Sequence, residues 1–206
     1  VKEQVEQQAG LMALQAQQQK QAQEQMMQQA QSQPMPTPPQ IPQPVAQGEE
    51  QGLLDATVGP GAINSYRTSR ICFLDTADPE YDWIYATLAP VIQEVNNQHF
   101  NFDLTHILPL QFTRYDAEAQ GQYKAHLDLG KNAPNRKLSF SLQLSDPFHH
   151  EGGVLQFPYN RTEPEQAPRA RGKIIFFPSY MLHEVTPVTQ GVRYSLVGWV
   201  AGPLFR

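Results

Sequence analysis

Six residues of this chain have types and spacings that could do metal and carboxylate chemistry together. His126 and Asp128 form a His-x-Asp pair at the end of an apparent strand, Gln122–Leu127. Side chains two apart on a strand point to the same side. An imidazole nitrogen and a carboxylate oxygen could therefore meet one ion. His183, at the start of another apparent strand, supplies a second nitrogen. Two His and one carboxylate on one face of a cation form the facial triad of non-haem Fe(II) oxygenases, which leaves positions open for a co-substrate and O2. Against this stands the plainer reading of each His as a core hydrogen-bonding residue; the order of the three ligands and the Arg-x-Ser pair beyond them favour the metal.

That pair is Arg193-x-Ser195, on the next strand. A guanidinium presents a planar fork that matches a carboxylate bidentately, and Ser195 adds a hydroxyl from the same face. A 2-oxo acid that chelates a metal through its keto and C1 oxygens needs such an anchor for its far carboxylate. Tyr115 could donate to the same end. Ser139, Ser141 and Gln143, on the polar side of their strand, are weaker candidates for the surrounding wall. His149 and His150 read as loop residues, with substrate contact as the alternative, His99 and His106 as structural, and Glu151-Gly152-Gly153 as a tight turn without a catalytic role.

The elements that must position these residues are mostly strands. Leu138, Phe140, Leu142 and Leu144 alternate with Ser139, Ser141 and Gln143, the period-two pattern of a two-faced strand. Further strands are expected at 105–115, 122–127, 153–157, 172–177, 183–187 and 191–200, separated by turn signals such as Asp146-Pro147 and Gln190-Gly191. Before them, Asp78-Pro79 is an N-cap followed by Pro at the first helical position. Ile84, Leu88, Val91, Ile92 and Val95 share one helical face up to Asn97, with a kink or a break expected at Pro90. The fold class is α+β, mainly β, an antiparallel sandwich or barrel with supporting helices.

The chain divides near residue 52. The first 51 residues hold eighteen Gln and few large apolar side chains, so they cannot build a core. They read as a low-complexity arm. Residues 1–31 are helix formers without an unbroken heptad seam, and could dock on an assembly partner. PMPTPPQIPQP, Pro34–Pro44, is an extended, polyproline-like spacer. Residues 52–206 form the folded domain.

Net charge is −5 with no basic block, against nucleic-acid binding. No long apolar run suggests a membrane span. The opening VKEQVEQQAG has no apolar core, against a signal peptide. One cysteine, Cys72, excludes an internal disulfide. The expected setting is the cytoplasm or a larger intracellular or viral assembly.

Three stretches, YDAEAQGQYKAHLD, LSFSLQLSDPFHHEGGVLQF and RGKIIFFPSYMLHEVTPVTQGVRYSLVGWVAG, resemble the prolyl 4-hydroxylase-like group of 2-oxoglutarate/Fe(II) dioxygenases. The resemblance covers about residues 61–203 and is most specific in HEVTPVTQGVRYSLVGW. It implies a double-stranded β-helix (jelly-roll) and a hydroxylase that converts 2-oxoglutarate and O2 to succinate, CO2 and a hydroxylated substrate. It further implies that His126, Asp128 and His183 hold Fe(II), that Arg193 anchors 2-oxoglutarate, and that Tyr115 assists. Ascorbate is a further candidate cofactor. Many members have Lys where this chain has Arg193, which bears on substrate rather than catalysis. A protein or peptide substrate, prolyl or other, is expected, and Pro34–Pro44 is itself a candidate. Related repair enzymes carry a second Arg where this chain has Trp199. The alternative is a structural or assembly module that keeps the fold and binds through the arm.

Overall fold

The computed structural model describes residues 52–56, 66–159 and 163–205. The expected Gln-rich and Pro-rich arm, residues 1–51, lies outside the described residues, and so do the docking helix and the polyproline spacer expected within it.

In chain order the strands are β1 (Leu54–Asp55), β2 (Arg67–Thr68), β3 (Arg70–Leu74), β4 (His106–Ile107), β5 (Leu110–Asp116) and β6 (Gln122–His126). They continue with β7 (Arg136–Gln143), β8 (His150–Gly152), β9 (Leu155–Phe157), β10 (Glu165–Gln166), β11 (Ile174–Pro178), β12 (His183–Val185) and β13 (Val188–Ala201). One helix, α1 (Asp82–Val95), lies between β3 and β4. A larger antiparallel sheet runs β1-β3-β5-β13-β7-β11, with β4 and β8 also pairing with β13. A smaller one runs β10-β9-β12-β6-β2.

The helix starts as its sequence dictates. The Asp78 carboxylate accepts from the Glu80 amide at 3.0 Å, and Pro79 opens a 3-10 turn that leads into α1. The helix then runs unbroken through Pro90, so it is not divided into two short helices there. Pro90 is exposed, so the Ala86 carbonyl that it leaves without an intrahelical donor can be met by water. Ile84, Leu88 and Ile92 are buried as predicted, while Val91 stays 40% exposed. A π-helical turn, Asn96–Phe100, ends the element, and Asn101 closes it in the left-handed region at φ 53°.

Strand alternation sorts the side chains of the large sheet into two sets. Leu74 of β3, Leu110 and Phe112 of β5, Leu138 and Phe140 of β7, and Leu196 and Val200 of β13 join Ile84, Leu88 and Ile92 in one core. Each fully buried apolar side chain contributes about 2 kcal/mol, so this layer anchors the sheet. The intervening positions, Gln111, Thr113 and Tyr115 on β5, Ser139, Ser141 and Gln143 on β7, and Arg193, Ser195 and Trp199 on β13, are also buried. They line the opposite face, which looks toward the smaller sheet. The polar half of the pattern in β7 is therefore an interior wall and not a solvent face. Cys72 is buried in the first core, where burial pushes its thiol up to about 11 and leaves it unreactive.

The expected strand at 105–115 is two pieces, β4 and β5, because Pro109 cannot donate to a ladder between them. The short strands β1, β2, β3, β8 and β10 carry no clear alternating signal.

Candidate metal and co-substrate site

A cavity of about 190 Å³ lies between the two sheets, and its lining includes all six candidates: Tyr115, His126, Asp128, His183, Arg193 and Ser195. His126 and His183 meet through the register of β6 and β12, where they are directly paired Cα partners. Their ring centroids are 4.2 Å apart. Asp128 comes just after β6 and is held there because its amide, and that of Leu129, donate to the Ser179 carbonyl at 3.0 and 2.9 Å.

The two imidazoles are oriented alike. His126 Nδ1 lies 2.8 Å from the Lys124 carbonyl and His183 Nδ1 2.9 Å from the Met181 carbonyl. A carbonyl only accepts, so both Nδ1 atoms carry the proton and both Nε2 lone pairs are free. Those Nε2 atoms face the Asp128 carboxylate at 3.9 Å (His126 to Oδ1) and 3.6 Å (His183 to Oδ2). These gaps are too long for hydrogen bonds. Asp128 Oδ2 is buried and has no hydrogen-bond partner. Burial, and then the nearby His183, push the His126 imidazole down to about 4 despite the attraction of Asp128. A neutral His126 does not form an ion pair with that carboxylate.

These observations test whether the residues fit a metal. The three donor atoms lie within 4.8 Å of one another. A divalent ion about 2 Å from each nitrogen and oxygen would fill the gap and satisfy the orphaned carboxylate oxygen. Hydrogen bonds from both Nδ1 atoms to carbonyls are the supporting contacts that fix ligating imidazoles. The donor set, two nitrogens and one oxygen without thiolate, suits Fe(II). The residues fit.

Arg193 occupies the interior face of β13, only 2% exposed. Tyr115 is its direct cross-strand partner, and the guanidinium carbon lies 5.3 Å from that ring's centroid. Nη2 donates to Gln143 Oε1 at 2.9 Å, and Nη1 reaches Ser195 Oγ at 3.4 Å. Every one of these contacts is to a neutral group, and no carboxylate among the described residues pairs with Arg193. Burial pulls its pKa below the usual arginine range, with Tyr115 opposing. A buried cation of this kind is expensive until an anion joins it. The site thus offers a metal triad and an unpaired guanidinium in one cavity.

Other residues matter here that the sequence did not single out. Gly153 has φ +60°, and a Cβ there would come within 2.8 Å of both Arg193 Cδ and Val188 Cγ2. Its glycine makes room for the arginine, so this turn, which has no catalytic role, supports the site by its shape. His150 is not a loop residue: it lies in β8, 6% exposed, and pairs with Gly191 of β13. Its Nδ1 sits 3.1 Å from Arg169 Nη2. Burial, then Arg169 and Arg193, push it down to about 4. His149, by contrast, is exposed, as are His99 and His106. Tyr123 stacks on the His126 ring at 3.5 Å, and Phe177 packs beside His183 at 4.6 Å. Of the weaker candidates, Gln143 and Ser141 reach the site, while Ser139 is paired with Ser179 at 2.9 Å. No local pattern marks Gly153, His150 or Tyr123; only pairing brings them in.

Known proteins share this architecture. Residues 110–201 match the family model of the 2OG-Fe(II) oxygenase superfamily. A PKHD-type hydroxylase of Synechococcus elongatus is 36% identical over 129 residues, covering 56% of this chain and 56% of that protein. One from Hyphomonas neptunium is 37% identical over 101 residues, covering 45% and 44%. The chain spans about half the length of the curated relatives it matches. Among solved structures, a Pseudomonas putida prolyl-4-hydroxylase superposes with a TM-score of 0.59 at 23% identity, over 75% of this chain and 80% of that one. A Trichoplax adhaerens prolyl hydroxylase, in complex with a hypoxia inducible factor peptide fragment, gives 0.63 at 16% identity, over 75% and 73%. The two antiparallel sheets and their helix are thus the jelly-roll of these enzymes. Among the described residues, no helix is long and apolar enough to cross a membrane.

Proposed function

We propose that the chain is a prolyl 4-hydroxylase-like member of the 2OG-Fe(II) oxygenases, whose superfamily model its residues 110–201 match, and that it couples oxidation of a protein or peptide side chain to decarboxylation of 2-oxoglutarate to succinate. In this reading His126 Nε2, His183 Nε2 and one Asp128 oxygen hold Fe(II). Bound iron would supply the chelating site for the 2-oxo acid and the activation of O2, chemistry that no side chain provides.

The chain's own residues do the rest. Arg193 pairs with the distal carboxylate of 2-oxoglutarate, helped by Ser195 and Tyr115. Gln143 holds one end of that guanidinium, so its fork is set before the ligand arrives. Lys124 and Met181 carbonyls keep both imidazoles in the ligating tautomer. The walls around Tyr123, Phe177 and Leu155 restrict water near the reacting centre. Ascorbate would serve as an accessory reductant. The single observation that carries this reading is the placement of an unpaired, buried Arg193 in the same cavity as the His126–Asp128–His183 cluster.

The substrate class rests on less: relatives named as hydroxylases and a solved neighbour holding a peptide. A prolyl side chain is the first choice, and Pro34–Pro44 of the chain itself is one candidate. The arm, residues 1–31, could tether the enzyme to an assembly partner. Succinate release tests the core of the proposal. Wild type supplied with Fe(II), O2, 2-oxoglutarate and prolyl peptides should release succinate, and His183→Ala should release none. Equal release from both, or none from wild type with any metal, would refute it.

A further inference from the structure

Arg169, on the segment between β10 and β11, does not line the cavity, yet its side chain is aimed at the strand beside the co-substrate end. Its Nη2 lies 3.1 Å from His150 Nδ1, 3.0 Å from the His150 carbonyl and a long 3.4 Å from the Gly152 carbonyl. All three acceptors belong to β8. A guanidinium only donates, so His150 Nδ1 accepts and the ring's proton sits on Nε2. Burial, then Arg169 and Arg193, keep this imidazole neutral, as an acceptor must be.

What Arg169 holds is backbone that Arg193 packs against. His150 and Gly152 pair with Gly191 and Val188 of β13, and Gly191 lies two residues before Arg193. Gly152 leads directly into Gly153, whose amide donates to the Pro187 carbonyl at 3.1 Å. At Gly153 there is no room for a methyl group beside Arg193 Cδ, so the arginine's alkyl stem lies on bare backbone. Gln143 fixes the head of the same side chain at Nη2. A long side chain keeps one aim only when stem and head are both supported, and an anchor that drifts by about 1 Å loses much of its effect.

We infer that Arg169 and His150 are positioning residues for Arg193: their contact holds β8 and the Gly152–Gly153 turn against the arginine's stem, and so sets how strongly the site prefers a dicarboxylate to a monocarboxylate of equal length. This rests on the hydroxylase reading and adds the device that steadies its co-substrate anchor. Arg169 touches neither metal ligand nor cavity, so it acts through Arg193 and not on the bound acid. His150 supplies the side-chain half of the clamp. Its neutral ring is what lets a cation approach it at all.

The test is isothermal titration of the full chain loaded with Mn(II), using 2-oxoglutarate and 2-oxopentanoate, which carries a methyl where the distal carboxylate stands. Arg169→Ala should weaken 2-oxoglutarate about tenfold and leave 2-oxopentanoate and Mn(II) binding as they were. A general loosening of the fold would weaken all three. His150→Leu, which removes the ring acceptor, should lose part of the preference, while His150→Asn, whose Oδ1 stands in for Nδ1, should keep most of it. In an Arg193→Ala background, Arg169→Ala should change nothing further. Thermal melts identify any variant that does not fold, and the two His150 variants carry the comparison if Arg169→Ala is one. An unchanged preference in both Arg169→Ala and His150→Leu would overturn the inference. So would an Arg169→Ala effect that persists in full without Arg193, since that is direct attraction of the ligand. Neither result disturbs the hydroxylase reading; a wild type that binds 2-oxoglutarate no better than 2-oxopentanoate defeats that reading, and the inference with it.

Discussion

His126 and His183 are direct cross-strand partners on β6 and β12, and each turns its Nδ1 toward the carbonyl two residues before it in the chain. One ladder register therefore sets two ligands, their tautomers and their common direction. A shift of that register by one residue would turn one imidazole out of the cavity.

Removal of either imidazole should accordingly abolish metal binding rather than weaken it slightly. For His183→Ala, titration with Fe(II) under argon, or with Mn(II), should give no saturable heat. Removing this buried ring also leaves a cavity beside Phe177, so the metal-free variant should melt lower than wild type. Tight binding by the variant would show that the cluster does not hold the ion.

The metal-free protein should lose stability as pH falls. The folded pKa values of His126 and His150 are both pushed from 6.5 to about 4, chiefly by burial. A folded value below the unfolded one means that the unfolded chain takes up the proton first. The stabilisation is complete above about 6.5 and is lost as pH drops through the window toward 4. Urea midpoints at several pH values check this, and His150→Asn should flatten part of the slope. A midpoint that stays constant over that window would contradict it.

Gly153→Ala should impair the co-substrate end without touching the metal. Its φ of +60° strains any side chain, and the new methyl would press on Arg193 Cδ and Val188 Cγ2. A stability loss of about 1 kcal/mol or more is expected from the backbone alone. The KM for 2-oxoglutarate should rise while Mn(II) affinity holds. Unchanged KM would mean that Arg193 does not need its present position.

If Pro34–Pro44 is a substrate, incubation of the chain with Fe(II), ascorbate, O2 and 2-oxoglutarate should add the mass of one or more oxygen atoms to the peptide that carries it. His183→Ala should add none. Absence of the increment in wild type, while succinate is released with other peptides, rules that segment out as a substrate.

Much of the site was legible in the residues because the chemistry repeats simple periods. The alternation in β7 and the Arg-x-Ser pair on β13 each place side chains on one side of a strand, and no tertiary information is needed for that; Asp128 lies beyond the end of β6 and is placed instead by the Ser179 carbonyl. The helix was legible from its cap and its Ile84, Leu88 and Ile92 stripe. Its passage through Pro90 was not, because what tolerates the missing hydrogen bond is solvent exposure, which sequence alone does not report. Gly153, His150 and Arg169 stayed hidden for a related reason. Their importance comes from what pairs with or packs against them, and β8 is too short to show any period.

Metal and guanidinium, in this reading, act on one ligand. The sharpest check is isothermal titration of 2-oxoglutarate under argon, with wild type, Arg193→Ala and Asp128→Ala each supplied with Mn(II). Wild type should bind, Arg193→Ala should keep its Mn(II) yet bind 2-oxoglutarate about a hundredfold more weakly, as expected for loss of a bidentate charged pair, and Asp128→Ala should bind neither. Affinity for 2-oxoglutarate that is equal in all three, or undiminished when Mn(II) is withheld, would mean that the two do not share a ligand.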